Sequence, residues 1–110
     1  MTEAQLESAW MQFGRFRLDP VAYTVVIPDW RVVQLTALEF RVLYELMSHA
    51  GQLRASQDIL RTVWGVSATE GTATNAVAVY VRRLRHKIEA DPAHPKHILT
   101  FRRKGYLFQP

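Results

Sequence analysis

The chain has 110 residues, no cysteine and a formal net charge of +4, with 48% hydrophobic and 22% charged residues. That length and balance suit one folded domain and exclude a long disordered chain. The lack of cysteine excludes a disulfide framework, a thiolate zinc site and a cysteine nucleophile, and no apolar run approaches the ~20 residues of a transmembrane helix.

Residues 1–11 read as a linker or disordered N-terminus. With Glu3 and Glu7 they are neither a secretory signal nor an Arg-rich transit peptide, so a cytoplasmic location and no membrane partner are expected. The folded domain is expected over residues 12–110. Met11 to Leu18 forms a first strand candidate, ended by Asp19-Pro20. Tyr23 to Ile27 is a second, broken by Pro28-Asp29, and Arg31 to Leu35 is a third. Short strands at this spacing predict an antiparallel meander.

The hydrophobic period then changes. Thr36 and Glu39 have capping-box spacing, and Leu35 and Phe40 have hydrophobic-staple spacing, so a helix starts here. Leu43, Leu46 and Met47 continue its apolar stripe, and Gly51 suits the left-handed C′ position. A short helix follows, with Ser56 as N-cap, Asp58 in the first turn and Gly65 at the end. A longer helix is predicted from Thr72 to Ala90, closed by Asp91-Pro92. Residues 97–101 and 106–108 read as two strands joined by Arg102-Arg103-Lys104-Gly105, a basic hairpin.

Charge is spread unevenly over these elements. Residues 1–81 hold six Lys/Arg against eight Asp/Glu, whereas residues 82–104 hold eight against only Glu89 and Asp91. Such asymmetry points to a polyanionic partner. On a helical wheel, Val77, Val81, Leu84 and Ile88 form one buried stripe of the third helix. Nearly opposite lie Thr72, Asn75, Val79, Arg82, Arg83 and His86, with Tyr80, Lys87 and Arg85 flanking. No acid interrupts this face, whereas an idle solvated face mixes acids and bases. Arginine forks onto guanine, asparagine pairs with adenine, and a small apolar side chain meets a thymine methyl. Helix, turn, helix, then a basic hairpin is the order of a winged helix-turn-helix, whose wing lies along phosphates or enters a minor groove.

An enzyme is not expected. His49, His86, His94 and His97 show no metal-pair spacing, and the five glycines are isolated rather than gathered in a phosphate-cradling loop. No cofactor is expected either.

Over residues 13–109 the chain resembles the OmpR/PhoB-type winged-helix effector domain of bacterial two-component response regulators. The matching blocks begin with Leu35-Thr36, Glu39-Phe40, Leu43 and Gly51, then Val63-Trp64-Gly65. Asn75, Val77, Val79 and Val81 follow, with Arg83-Leu84-Arg85 and Lys87-Ile88. Asp91-Pro92, Ile98, Thr100, Arg102, Gly105 and Tyr106 complete them. The resemblance implies an α+β fold: an N-terminal antiparallel sheet of four strands, three helices and a C-terminal β-hairpin wing. The fourth strand would come from the stretch between Asp19 and Leu35 or from its ends. A short strand at Leu53–Ala55 would pair with the wing.

It also implies sequence-specific binding of double-stranded DNA for transcription regulation. Helix 72–90 would enter the major groove and wing 97–109 the minor groove. Asn75, Val79 and Arg83 would face bases, with Arg102 as the minor-groove arginine. Trp64, Tyr80, Arg82, Arg85, Thr100 and Tyr106 would contact phosphates, joined by Arg103 and Lys104 through their charge. Loop 65–71 is similar to one that touches RNA polymerase in the family. The domain is expected to be a monomer in isolation and to sit in tandem on direct-repeat DNA. The alternative, a protein-interaction module without DNA binding, is disfavoured by the presence of both Arg83 and Arg102.

Three positions depart from the family pattern. Ala78 replaces an aspartate, so one polar buttress of the helix is absent. Arg103 replaces a glycine of the wing, so the turn there is expected to differ. Pro28-Asp29-Trp30 replaces a small glycine turn, and Trp30 is expected to pack against the sheet rather than to serve as an exposed interaction handle.

Overall fold

A computed structural model of the protein describes residues 10–65 and 72–110. Residues 1–9 of the expected linker 1–11, and residues 66–71 of the expected polymerase-contacting loop 65–71, lie outside the described residues. Four strands form an antiparallel sheet in sequence order: β1 (Met11–Phe13), β2 (Phe16–Asp19), β3 (Thr24–Val26) and β4 (Val32–Gln34). Helices α1 (Ala37–Ser48), α2 (Ser56–Trp64) and α3 (Thr72–Ile88) follow, and β5 (Ile98–Phe101) and β6 (Gly105–Phe108) close the chain as a hairpin. This is the expected α+β winged-helix architecture.

The fourth strand arises differently from the expectation. Met11 to Leu18 is not one strand but a hairpin, with Phe13 paired to Phe16 across Gly14-Arg15. Gly14 takes φ +59 at the first central position, which a two-residue hairpin reserves for glycine. Alternation then sends Phe16, Leu18 and Val25 inward, while Gln12, Arg17, Val26 and Val32 form a register-matched row on the outer face.

Residues 28–30 form a three-residue hairpin loop. The Trp30 N–H donates to the Ile27 carbonyl at 2.8 Å, and the Ile27 N–H donates to the Arg31 carbonyl at 3.0 Å. This loop needs a left-handed residue at its third position, and Trp30 supplies it with φ +72. For a non-glycine residue that conformation costs about 1–2 kcal/mol. Trp30 is 75% exposed, so the expected packing against the sheet is overturned: the left-handed backbone turns the indole out to solvent.

Local rules account for α1. The Glu39 N–H donates to Thr36 Oγ1 at 3.2 Å, and the Thr36 N–H donates to Glu39 Oε1 at 2.8 Å, the reciprocal capping box. The helix stops one residue earlier than a glycine at C′ would place it. His49 is the C-cap, and Gly51, at φ +80, lies two residues beyond and donates to the Phe108 carbonyl. For α2 the N-cap is Ala55, not Ser56, and no side chain caps it. The Arg54 backbone, paired in both directions with Tyr106 at 2.7 and 2.9 Å, sets where that helix begins. This bridge is the expected short strand at Leu53–Ala55, reduced to one residue pair.

The core gathers Phe16, Leu18, Leu43, Leu46, Ile59, Leu60, Leu84 and Phe108 from the sheet, all three helices and the wing. Burying each such side chain contributes about 1.5–3 kcal/mol. The predicted stripe of Val77, Val81, Leu84 and Ile88 is buried along its whole length, which fixes the rotation of α3. One ion pair ties α3 to α1. Lys87 Nζ lies 2.6 Å from Glu39 Oε1 and also donates to the Gln34 carbonyl on edge strand β4.

Burial pushes the Glu39 carboxyl up, but the Lys87 ammonium and the Thr36 N–H outweigh it and hold the group below the usual carboxylate range. A depressed folded-state value contributes stability above the unfolded value of about 4.3, and that stability is lost as pH falls through the folded value. Urea midpoints should therefore fall on acidification below about pH 4.3 by more in the parent protein than in Glu39→Gln. Parallel acid profiles would show that Glu39 does not carry this linkage.

Candidate nucleic-acid interface

The acid-free face of α3 is solvent-exposed. Asn75, Val79, Arg82, Arg83 and His86 all lie on the surface, with Val79 45% exposed. Val79, Arg82, Arg83, His86 and Lys87 line an open groove along the helix. Glu39 borders that groove, but its carboxylate is already spent on Lys87 and Thr36. The groove therefore offers guanidinium groups, an imidazole and one valine, with no free acid.

Arg83 is held from behind. The Trp64 and Tyr80 rings meet edge to face at 5.5 Å, and the Arg83 guanidinium carbon lies 4.9 Å from the Tyr80 ring centroid. Stacking on an aromatic face limits the arginine's rotamers before any ligand arrives. Trp64 and Tyr80, expected as phosphate contacts, are half-buried and act in this geometry as the platform for Arg83.

Arg85, also expected on phosphate, is committed inside the molecule. Its Nε donates to the Ile98 carbonyl at 3.0 Å, and its Nη2 donates to the same oxygen at 2.7 Å and to Thr100 Oγ1 at 2.6 Å. Both expected contacts, Arg85 and Thr100, thus bond to each other and join α3 to the first wing strand. One turn further on, Glu89 does the same with opposite polarity. Its carboxylate is 5% exposed and accepts the N–H groups of Lys96, His97 and Ile98, the last at 2.8 Å. No cation pairs with Glu89 among the described residues, so its charge rests on these three amides. Two side chains four residues apart therefore fix the wing to the helix. Sequence reasoning missed Glu89 because its partners lie beyond a proline-containing loop.

At the wing tip, Arg102, Arg103 and Lys104 are all exposed. The Lys104 N–H donates to the Phe101 carbonyl at 2.9 Å, closing the turn, and Arg103 takes φ +65. Arg103, standing where the family pattern has glycine, takes the left-handed conformation at a cost of about 1–2 kcal/mol, and three cations project from one tip. Gly105 follows with φ +136. A side chain there would overlap the Arg54 carbonyl oxygen and come within 2.8 Å of the Ala55 α-carbon. Tyr106 is half-buried and pairs with the Arg54 backbone. Arg54 is in turn held by the buried Glu45 carboxylate, with Nη2 at 2.7 Å. Ala78 is exposed on α3. Among the described residues no group of three His, Asp or Glu is placed to hold a metal, and no helix is long and apolar enough to cross a membrane.

Residues 31–108 match the family model described as "Transcriptional regulatory protein, C terminal". A probable transcriptional regulator, ycf27, of Porphyridium aerugineum is 48% identical over 102 residues, covering 93% of this chain and 42% of that protein. The chain spans less than half the length of the curated relatives it matches first. The DNA-binding domain of RstA from Klebsiella pneumoniae, solved in complex with its RstA box, superposes with a TM-score of 0.77 at 34% identity, covering 91% of this chain and 96% of that one. The Thermotoga maritima response regulator DrrB, an OmpR/PhoB homologue, superposes with a TM-score of 0.76 at 27% identity, covering 93% of this chain and 45% of that one.

Proposed function

Because the chain belongs to the OmpR/PhoB-type family of transcriptional regulatory C-terminal domains, a family of DNA-binding regulators and not of enzymes, we propose that it binds a specific double-stranded DNA sequence, with α3 in the major groove and the β5–β6 wing at the minor groove. The observation that carries this reading is the acid-free, exposed face of α3, joined by Arg85 and Glu89 to a wing tipped with three cations. Helix and wing then meet the duplex as one unit, with a spacing that the duplex does not have to impose.

Within it the roles divide by chemistry. Arg83, pre-stacked on Tyr80, is the base reader, with Val79 beside it for a thymine methyl and Asn75 one turn earlier. Arg102 enters the narrow minor groove, where negative potential is enhanced. Arg82, Arg103 and Lys104 lie on phosphates, which position the domain without reading sequence. The domain binds as a monomer and pairs in tandem on direct repeats.

Selection of sites from random duplex DNA tests this directly. We expect one consensus to emerge, and the logarithm of its affinity to fall linearly with the logarithm of salt, by about 0.9 per neutralised phosphate. Arg83→Ala should lose roughly 1–3 kcal/mol of discrimination at one base position, with the salt slope unchanged. No enrichment from the random pool would refute DNA reading altogether. Uniform weakening across all sequences would move Arg83 onto phosphate.

A further inference from the structure

The Trp30 loop takes no part in the proposed DNA interface, and its geometry asks for another explanation. Its third position calls for glycine, yet it holds the bulkiest side chain, left-handed and 75% exposed. Strained backbone positions cluster at ligand clamps and other functional sites. The indole borders an open hollow of about 310 Å³ with Pro28, Gln12, Gly14, Arg15 and Arg17. The Arg17 guanidinium carbon lies 5.0 Å from the Trp10 ring centroid, and the outer row of the sheet continues from Arg17 through Val26 to the exposed Val32.

Among the described residues the charge of this surface is one-sided. Asp29 is the nearest acid on the loop, and its carboxylate is occupied by the Arg31 N–H and by Arg31 Nε at 2.9 Å. Asp19 is turned onto the N–H groups of its own turn, the closer being Val21 at 2.9 Å. Arg15 and Arg17 have no acidic partner among the described residues. Among the described residues the hollow therefore presents two guanidinium groups without an acidic partner beside an exposed indole and a proline, and the row of Val26 and Val32 adjoins it on the same sheet face. Tryptophan and arginine are the residue types that most often carry binding energy at protein interfaces.

We propose that this outer sheet face is a protein-docking surface for an acidic segment that carries a bulky apolar side chain. The apolar side chain seats against Trp30 and Pro28, and the carboxylates pair with Arg15 and Arg17. The site shares no residue with α3 or the wing, so the domain can hold DNA and this partner together.

The test is a phage-displayed library of random 12-residue peptides panned against the full chain. Enriched sequences should be acidic and contain Leu, Phe or Trp, and their affinity should fall as salt rises. Trp30→Gly relieves the left-handed strain and keeps the loop, so it should fold at least as well as the parent, yet lose about thirtyfold or more in peptide affinity. Arg17→Ala should weaken the same peptides, and DNA affinity should stay within about twofold for both variants. The proposal is overturned by no enrichment, by enrichment of neutral or basic peptides, by equal peptide binding by Trp30→Gly, or by a dimer of the parent chain that Trp30→Gly dissolves. A shallower salt slope for DNA in Arg17→Ala would also overturn it, by assigning the face to nucleic acid.

Discussion

Gly105→Ala is expected to cost about 2–5 kcal/mol and to displace the wing. Two effects act together. At φ +136 an L-residue is strained wherever it sits, and the added carbon would overlap the Arg54 carbonyl oxygen. That oxygen cannot yield cheaply, because it accepts the Tyr106 N–H at 2.9 Å while the Arg54 N–H donates back at 2.7 Å. The Arg54 side chain is pinned as well, by Glu45. The substitution must therefore break the bridge or bend β6 away from it. Domains of this size hold only about 5–15 kcal/mol in total, so the loss should show as a lower urea midpoint and weaker DNA binding. A midpoint equal to the parent's would mean that the backbone at Arg54 gives way freely.

The second large effect is expected at Glu89. Glu89→Ala leaves three backbone N–H groups without their acceptor, and that of Ile98 is fully buried. Each buried unsatisfied donor costs about 1–3 kcal/mol, with water relieving the two outer ones, so a loss of about 3 kcal/mol is expected. Thermal or urea unfolding measures it, and a loss below about 1 kcal/mol would show that the loop finds other acceptors. Arg85→Met separates positioning from phosphate contact at the neighbouring staple. If Arg85 acts by holding the wing, DNA affinity falls with the salt slope unchanged. A slope shallower by about 0.9 would place its charge on a phosphate.

What could be read from the sequence divides by the range of the interactions. The Thr36–Glu39 capping box was legible because both partners lie within four residues. The buried stripe of α3 was legible because helical period alone sets it. The N-terminal hairpin was missed because Gly14-Arg15 is a weak turn signal, although the apolar alternation changes phase there, from Met11 and Phe13 to Phe16 and Leu18. Trp30 was misplaced because a three-residue loop demands a left-handed third position whichever residue stands there. Arg85 and Glu89 were out of reach for another reason. Both sit on the expected basic helix, but their partners are backbone groups of the wing, and only the folded chain shows which side chains remain free for DNA. The sequence located the basic helix face and the wing as a set, and the fold then separated side chains exposed on that face from those bonded to the wing.

The Arg54–Tyr106 bridge also bears on the order in which this molecule is made. The four-stranded meander and α1 draw their strand pairs and caps from near neighbours in the chain, and such contacts close early at little entropic cost. The bridge joins positions about half the chain apart, so its second partner, Tyr106, leaves the ribosome well after Arg54. Synthesis runs from the N-terminus, so the scaffold precedes the grip. A chain cut short before Tyr106 would carry the residues of α3, Arg83 included, and lose the clasp between the start of α2 and the wing.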